Sequence, residues 1–161
     1  MEISTNTLQQ IEDAINSYPE PKSALLKILH LFQQKDGYIS QETIDWISKK
    51  LSMEPLNVLE VITFYPIFRT KPVGRFLLKI CHTLSCELQN SSEVCKILQK
   101  ELNCPELGGT SLDGLFTIEY CGCLANCDKG PNILLNGKLC QEITPENAKT
   151  FAFNLKRGIV P

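Results

Sequence analysis

The sequence predicts an α/β protein in two parts, a helical bundle followed by a mixed part of strands and helices. All eight cysteines lie at or beyond Cys81, so the chain divides by composition into a cysteine-free and a cysteine-rich half. Apolar residues recur every three or four positions in the first half, whereas short apolar runs alternate with helical patterns in the second. We therefore predict two domains, over residues 1–73 and 74–161.

The first two helices of the bundle follow from apolar spacing. A helical pattern begins at Leu8 and must end before Pro19, because proline removes a helical hydrogen bond. A second helix over residues 24–32 is apolar almost all round, which is typical of a buried helix, and Gly37 stops it.

The third and fourth helices have clear starts. Ser40 is a suitable N-cap for the third helix, and Pro55 fits the first turn of the fourth. Along the fourth helix, spacing predicts that Leu56, Leu59 and Ile62 face inward.

The second part begins with a strand, a helix and a strand. Residues 75–81 and 115–121 read as strands, and a helix begins at Ser91 between them. Asn136-Gly137 then predicts a tight antiparallel hairpin, since this pair tolerates a positive φ. Thr144 and Pro145 open a final helix. This order of elements is that of a thioredoxin-like sheet.

Composition excludes several classes of protein. The net charge of -2 argues against a protein that binds nucleic acid, and no apolar run reaches the roughly 18 residues that cross a bilayer. The opening residues lack the basic and apolar stretches of a secretory signal, so we expect a cytoplasmic chain. In a reducing compartment, cysteines serve as metal ligands, reactive thiols or buried apolar residues more often than as disulfides.

Two cysteine pairs lie at the ends of the two predicted strands. Cys81 and Cys86 are separated by four residues, and Cys123 and Cys127 by three. Four converging thiolates can hold zinc or a small iron-sulfur cluster. No two cysteines are separated by two residues, so both the commonest zinc knuckle and a thioredoxin redox pair are absent from the sequence. The wider gaps favour a two-iron cluster over a single ion.

Three segments carry a resemblance to a known family: TFYPIFRTKPVGRFLLKICHTLSC, IEYCGCLANCDKGPNILLNG and ITPENAKTF. They resemble the small thioredoxin-like 2Fe-2S subunits (E subunits) of bacterial NADH-quinone oxidoreductase, which is respiratory complex I. The resemblance covers nearly the whole chain. It implies a helical N-terminal region before a thioredoxin-like ferredoxin domain, with one 2Fe-2S cluster bound by Cys81, Cys86, Cys123 and Cys127. Two positions depart from the family: Ala125 stands where a glycine is usual, and Gly130 where many members have alanine.

The resemblance also implies a function and partners. The cluster would exchange single electrons with the flavin of an adjacent flavoprotein subunit, which would hold FMN and bind NADH, within an assembly that includes a large iron-sulfur subunit. The chain would be peripheral to the inner membrane through that assembly, without inserting into it. It has no dinucleotide fingerprint or paired acid and base, so we expect no catalytic residues and no NADH oxidation by the chain alone.

Other functions stay open from the sequence. The chain has the features expected of an equivalent subunit of an NAD-linked hydrogenase or formate dehydrogenase. A free thioredoxin-like electron carrier is a further alternative, although it would not need the helical half. A zinc-stabilised interaction module with no redox role is the alternative from a different class.

Several conspicuous residues are assigned no ligand role. Cys121 is interpreted as packing beside the site, with ligand exchange as its alternative, and His82 as an exposed or supporting residue because Rieske chemistry needs two histidines. His30 is interpreted as a packed or half-exposed residue. The segment 64–68 is a candidate docking contact or a packing segment between the domains. The cysteines interpreted as structural are Cys95, Cys104 and Cys140.

Overall fold

The computed structural model describes residues 3–159 and has the predicted α/β character. The chain divides between Pro72 and Val73 into two compact units, one residue before the boundary expected from composition. The first unit is helical, and the second contains a four-stranded sheet.

Four α-helices and one 3-10 turn form the first unit within the described residues. The helices are α1 (Thr5–Asn16), α2 (Leu25–Asp36), α3 (Gln41–Leu51) and α4 (Pro55–Phe64), and the 3-10 turn is Pro21–Ala24. Their buried apolar side chains form one core, which includes Ile11, Ile28, Leu29, Phe32, Ile39, Ile47 and Val58. This core is separate from that of the second unit, so each unit has its own packed interior.

The signals that end α2 and start α3 and α4 are confirmed, but α1 begins at Thr5 with Ser4 as its N-cap, before the apolar pattern predicted from Leu8. One helix face also differs from the prediction. The Ser40 hydroxyl accepts a hydrogen bond from the Thr43 amide at 3.2 Å, and Gly37 ends α2 with a φ of +79°. The prediction that Leu56 faces inward is wrong, because its side chain is 64% exposed. Val58 and Ile62 are buried instead. Position 56 lies in the first turn of α4, where apolar spacing alone does not fix the buried face.

The segment 64–68 combines packing and exposure. Phe68 is buried in the core of the first unit, and its ring lies 5.0 Å from that of His30. By contrast, Phe64 is 76% exposed and Ile67 is 46% exposed. Phe68 therefore belongs to the interior of the first unit, whereas Phe64 and Ile67 present apolar surface.

The second unit contains four strands and three α-helices within the described residues. These are β1 (Phe76–Cys81), α5 (Leu84–Glu87), α6 (Ser91–Glu101), β2 (Phe116–Cys121), β3 (Ile133–Leu135), β4 (Lys138–Cys140) and α7 (Pro145–Lys156). Apart from the single turn α5, they follow the predicted order. The β3–β4 turn has a positive φ at both Asn136 and Gly137, as the type I′ prediction requires.

The sheet has the order β2-β1-β3-β4, with β1 parallel to β2 and antiparallel to β3. One face carries Leu78, Ile80 and Ile118 into a core shared with α6 and α7. Because β1 and β2 are parallel and in register from Phe76↔Phe116 to Cys81↔Cys121, their carboxyl ends meet at one edge of the sheet. The loops that follow these two strands therefore leave the sheet side by side.

Candidate metal centre

The first cysteine pair is buried at the end of β1. Cys81 is the last residue of the strand, and its amide donates a hydrogen bond to the Asn132 carbonyl at 3.0 Å. Thr83 is extended and leads directly into α5, which contains Cys86. Both thiols are almost inaccessible to solvent. The strand and the short helix thus hold the first pair inside the protein.

Hydrogen bonds give the two buried thiols different acidities. Burial raises the pKa of Cys81, but hydrogen bonds from the side chain and backbone of Thr83 outweigh burial and leave this pKa lowered. The Thr83 hydroxyl lies 3.3 Å from the sulfur, and the backbone of Leu124 also contacts it. The pKa of Cys86 is raised, mainly by burial. The hydrogen bonds therefore favour the thiolate of Cys81, the form of cysteine that binds metals, more than that of Cys86.

The second cysteine pair is exposed after β2. The sulfurs of Cys123 and Cys127 lie 3.5 Å apart, and their proximity raises the pKa of Cys127. The Ala125 amide donates to the Cys123 sulfur at 3.3 Å, with Ala125 at a φ of +57°. This left-handed conformation is one that glycine adopts without strain. It accounts for the usual glycine at this position in the resembled family.

Asn132 links the two cysteine loops. Its side chain is buried and donates to the Asn126 carbonyl at 2.6 Å, while its oxygen accepts from the Asn126 side chain at 2.8 Å. The same amide lies 3.6 Å from the Cys86 sulfur. Asn132 thus joins the first pair to the loop between Cys123 and Cys127.

The Gln89 side chain makes a second link between the two cysteine loops. Gln89 donates to the Ser85 carbonyl at 2.9 Å and to the Cys127 carbonyl at 3.2 Å. A Cβ atom at Gly130 would lie 2.8 Å from the Gln89 amide nitrogen, so Gly130 leaves the space that this side chain fills. The departure from alanine at this position therefore has a local steric reason. Sequence reasoning missed both Gln89 and Asn132, because only the folded chain brings them to the cysteines.

The cysteines form two pairs rather than one convergent group. Between Ile3 and Ile159, no group of three or more His, Cys, Asp or Glu side chains is placed to hold a metal ion. Cysteine pairs on adjacent loops, linked by Asn132 and Gln89, fit a cluster in which each of two irons takes two thiolates. The predicted ligands Cys81, Cys86, Cys123 and Cys127 are thus placed at one edge of the sheet.

Cys121 occupies a different position from the four predicted ligands. It is the last residue of β2 and is paired in register with Cys81. Burial, reinforced by the charge of Cys81, raises the pKa of its thiol to about 11. In the metal-free chain at neutral pH, this thiol is therefore protonated.

The remaining singled-out residues are His82 and three buried cysteines. His82 is partly exposed, with its ring 4.2 Å from that of Tyr120 and its Nε2 3.2 Å from the Ser92 hydroxyl. These contacts tie the residue after Cys81 to the first turn of α6. Three cysteines are buried, with thiol pKa values raised by burial: Cys95, Cys104 and Cys140.

Comparison with known proteins identifies the family to which the chain belongs. The sequence profile described as thioredoxin-like [2Fe-2S] ferredoxin matches residues 11–156. The chain belongs to this family. A member of the thioredoxin-like [2Fe-2S] ferredoxin family carries one 2Fe-2S cluster, and the described fold, a sheet with helices and an N-terminal helical region, agrees with the predicted class.

Relatives of this ferredoxin-family chain cover most of its length. It is 32% identical over 145 residues to the NADH-quinone oxidoreductase E subunit of Escherichia coli K12, a match that covers 90% of the chain and 87% of that protein. It is 29% identical to the corresponding protein of Mycobacterium bovis, covering 90% of the chain and 57% of that protein. These matches confirm the resemblance to the E subunits of NADH-quinone oxidoreductase.

A solved structure shares the fold. A chain of an NAD+-reducing [NiFe]-hydrogenase in the air-oxidized state superposes with a TM-score of 0.71 at 18% identity, covering 84% of this chain and 23% of that one. At this identity the likeness concerns the fold alone.

Proposed function

We propose that this chain is the electron-transfer subunit of an NADH:quinone oxidoreductase and exchanges single electrons with the flavin of a partner flavoprotein subunit. Membership of the 2Fe-2S family and the relationship to NADH-quinone oxidoreductase subunits support an electron-transfer role within an oxidoreductase complex. The meeting of two cysteine pairs at one sheet edge is the structural observation that carries the proposal.

Cys81, Cys86, Cys123 and Cys127 would hold the cluster. A bound 2Fe-2S cluster supplies one-electron redox chemistry. The chain's own residues orient the ligands: Thr83 and Ala125 donate to the sulfurs of Cys81 and Cys123, and Asn132 keeps the loops together. These contacts restrict movement of the donor atoms, which suits electron exchange better than bond-making.

Metal analysis tests the ligand set. The full chain, purified without oxygen, should contain about two irons and two sulfides. Serine replacement of Cys81, Cys86, Cys123 or Cys127 should remove this iron, whereas Cys121→Ser should keep it. A colourless parent chain with stoichiometric zinc would instead support the zinc-stabilised interaction module. Iron retained after replacement of a proposed ligand, or lost in Cys121→Ser, would contradict the ligand assignment.

The partners follow from the same proposal. The flavoprotein would hold FMN and bind NADH, and a large iron-sulfur subunit would complete the assembly, which would place the chain at the cytoplasmic side of the inner membrane. Between residues 3 and 159, none of the helices is long and apolar enough to cross a membrane. Attachment through the partners requires no such helix.

Phe64 and Ile67 offer a place to test the docking of the flavoprotein. Both side chains are exposed, whereas Phe68 is buried and would disturb the core if changed. Phe64→Ser combined with Ile67→Ser should reduce co-purification of the flavoprotein. Leu112→Ser is the control, because that side chain is fully exposed in the other unit. Undiminished recovery of the flavoprotein with the double variant would exclude a docking role for this segment.

An equivalent place in an NAD-linked hydrogenase is the second candidate. The shared fold with a chain of an NAD+-reducing [NiFe]-hydrogenase makes it worth testing. Isolation of the complete assembly decides between the two. Quinone reduction by the assembly supports the complex I placement, whereas nickel and hydrogen oxidation would identify a hydrogenase.

A further inference from the structure

A charged pair lies on the sheet face opposite to the core of the second unit. Lys79 of β1 is in register with Glu119 of β2, and the Lys79 ammonium lies 2.9 Å from a Glu119 carboxylate oxygen. Ile80, the next residue along β1, points into the core with α6 and α7. Because successive side chains of a strand alternate between faces, Lys79 belongs to the other face.

This face leads directly to the proposed cluster ligands. Cys81 follows Lys79 by two residues on β1, and Cys121 follows Glu119 by two residues on β2, so each cysteine shares the face of the charge that precedes it. The strands end at these cysteines. On β1 and β2, the ion pair is therefore the pair of charged side chains nearest to the cysteine loops.

The protein shields the pair from solvent. The Lys79 side chain is 17% exposed and that of Glu119 is 30% exposed. On its other side, Lys79 is in register with Leu134 of β3, an apolar neighbour. Limited contact with water weakens screening, so each charge acts more strongly on its surroundings than a fully exposed charge would.

We infer that Lys79 and Glu119 set the reduction potential of the cluster in opposite directions. The inference rests on the proposed function and its ligands. Reduction adds one negative charge to the cluster site, and local charge is one of the factors that fix the potential of iron-sulfur proteins. The Lys79 ammonium stabilises the added charge, whereas the Glu119 carboxylate opposes it. Since the two charges are paired, their opposite effects on the reduction potential largely cancel.

A purely structural role for the pair gives a different expectation. Removal of either partner breaks the same contact, so Lys79→Met and Glu119→Gln would lower stability in the same direction. An electrostatic role predicts shifts of opposite sign in the potential, because the two variants leave opposite charges behind. The sign of the shift therefore separates the two roles.

A redox titration of the full chain with its cluster, followed by electron paramagnetic resonance, provides the test. Lys79→Met keeps most of the apolar side chain and should lower the reduction potential, while Glu119→Gln should raise it. The double variant should return close to the potential of the parent. Thermal unfolding of each variant, measured in parallel, reports the structural contribution separately.

Lys50 and Glu12 provide a matched control pair. They form an ion pair between α3 and α1 of the helical unit, outside the unit that holds the cysteines. Lys50→Met and Glu12→Gln should leave the potential unchanged. Equal potentials in all variants, or shifts of the same sign for Lys79→Met and Glu119→Gln, would overturn the inference alone. A parent chain without an iron-sulfur cluster would overturn the proposed function and this inference together.

Discussion

The loop with Cys81 and Cys86 and the loop with Cys123 and Cys127 present the same donor atoms in opposite surroundings. The first pair is buried between β1 and α5, whereas the second is exposed after β2. Packing therefore determines the positions of the first two sulfurs. The positions of the second two depend on individual hydrogen bonds, above all those made by Asn132.

This contrast shows that a binding site can be rigid for two different reasons. Side chains held by a core resist movement because any displacement opens a cavity. Side chains held by a few hydrogen bonds resist movement only while each partner stays in place. Changes at the linking residues should therefore affect the exposed loop most, and changes at the thiols should affect the buried loop most.

The largest effect is expected from Asn132→Leu, which removes the link between the loops. Leucine has a similar size but leaves the polar groups of Asn126 without their buried partner, so we expect a loss of about 2–3 kcal/mol in the free energy of unfolding. Denaturant unfolding of the metal-free chain measures it. Asn57→Leu, at an exposed position of α4, should change stability by less than about 0.5 kcal/mol. Equal effects of the two variants would exclude the proposed linking role.

Alanine replacement of one thiol from each pair compares the loops directly. In the metal-free chain, Cys86→Ala removes a buried sulfur and should cost about 1–2 kcal/mol, whereas Cys123→Ala at the exposed position should cost less than about 0.5 kcal/mol. The same unfolding measurement applies. A greater cost for Cys123→Ala would reverse the comparison and show that the exposed loop contributes more to stability.

Gly130→Ala tests the space next to Gln89. The added Cβ would meet the Gln89 amide, and the flexible side chain should turn away and lose its bond to the Cys127 carbonyl. Loss of this bond should cost about 1 kcal/mol in unfolding free energy. Combined with Gln89→Ala, the alanine at 130 should add almost no further cost, because the clash is gone. Additive losses in the double variant would show that the two residues act independently.

The smallest effect is expected from Ala125→Gly. The left-handed φ of Ala125 strains a side-chain-bearing residue, so glycine should relieve that strain while increasing the freedom of the unfolded chain. The net gain in unfolding free energy should be about 0.5 kcal/mol. Ala14→Gly within α1, where φ is helical, is the control and should be destabilising. Destabilisation by Ala125→Gly would show that the loop does not carry this strain.

The sequence predicted the elements well where a local signal exists. The hairpin followed from Asn136-Gly137 and the start of α3 from Ser40, because backbone preference and capping act over a few residues. The orientation of Leu56 was wrong, since burial of a short helix depends on its neighbours.

The candidate site was predictable only in part. The four cysteines stood out by spacing, but Gln89 and Asn132 reach them through tertiary contacts that no sequence period reports. Gly130 looked like a departure from the resembled family, and its reason became clear only from the adjacent Gln89 side chain.

The parallel pairing of β1 with β2 has a consequence for the unfolded chain. The segment between the two cysteine loops contains α6 and β2. A cluster bound by the proposed ligands would cross-link the two loops covalently and so close a chain loop of about 40 residues. By the chain-entropy argument used for disulfides, such a cross-link lowers the entropy of the denatured ensemble and raises its free energy by about 4 kcal/mol. The cluster that exchanges electrons would then also raise the free energy of unfolding of the domain.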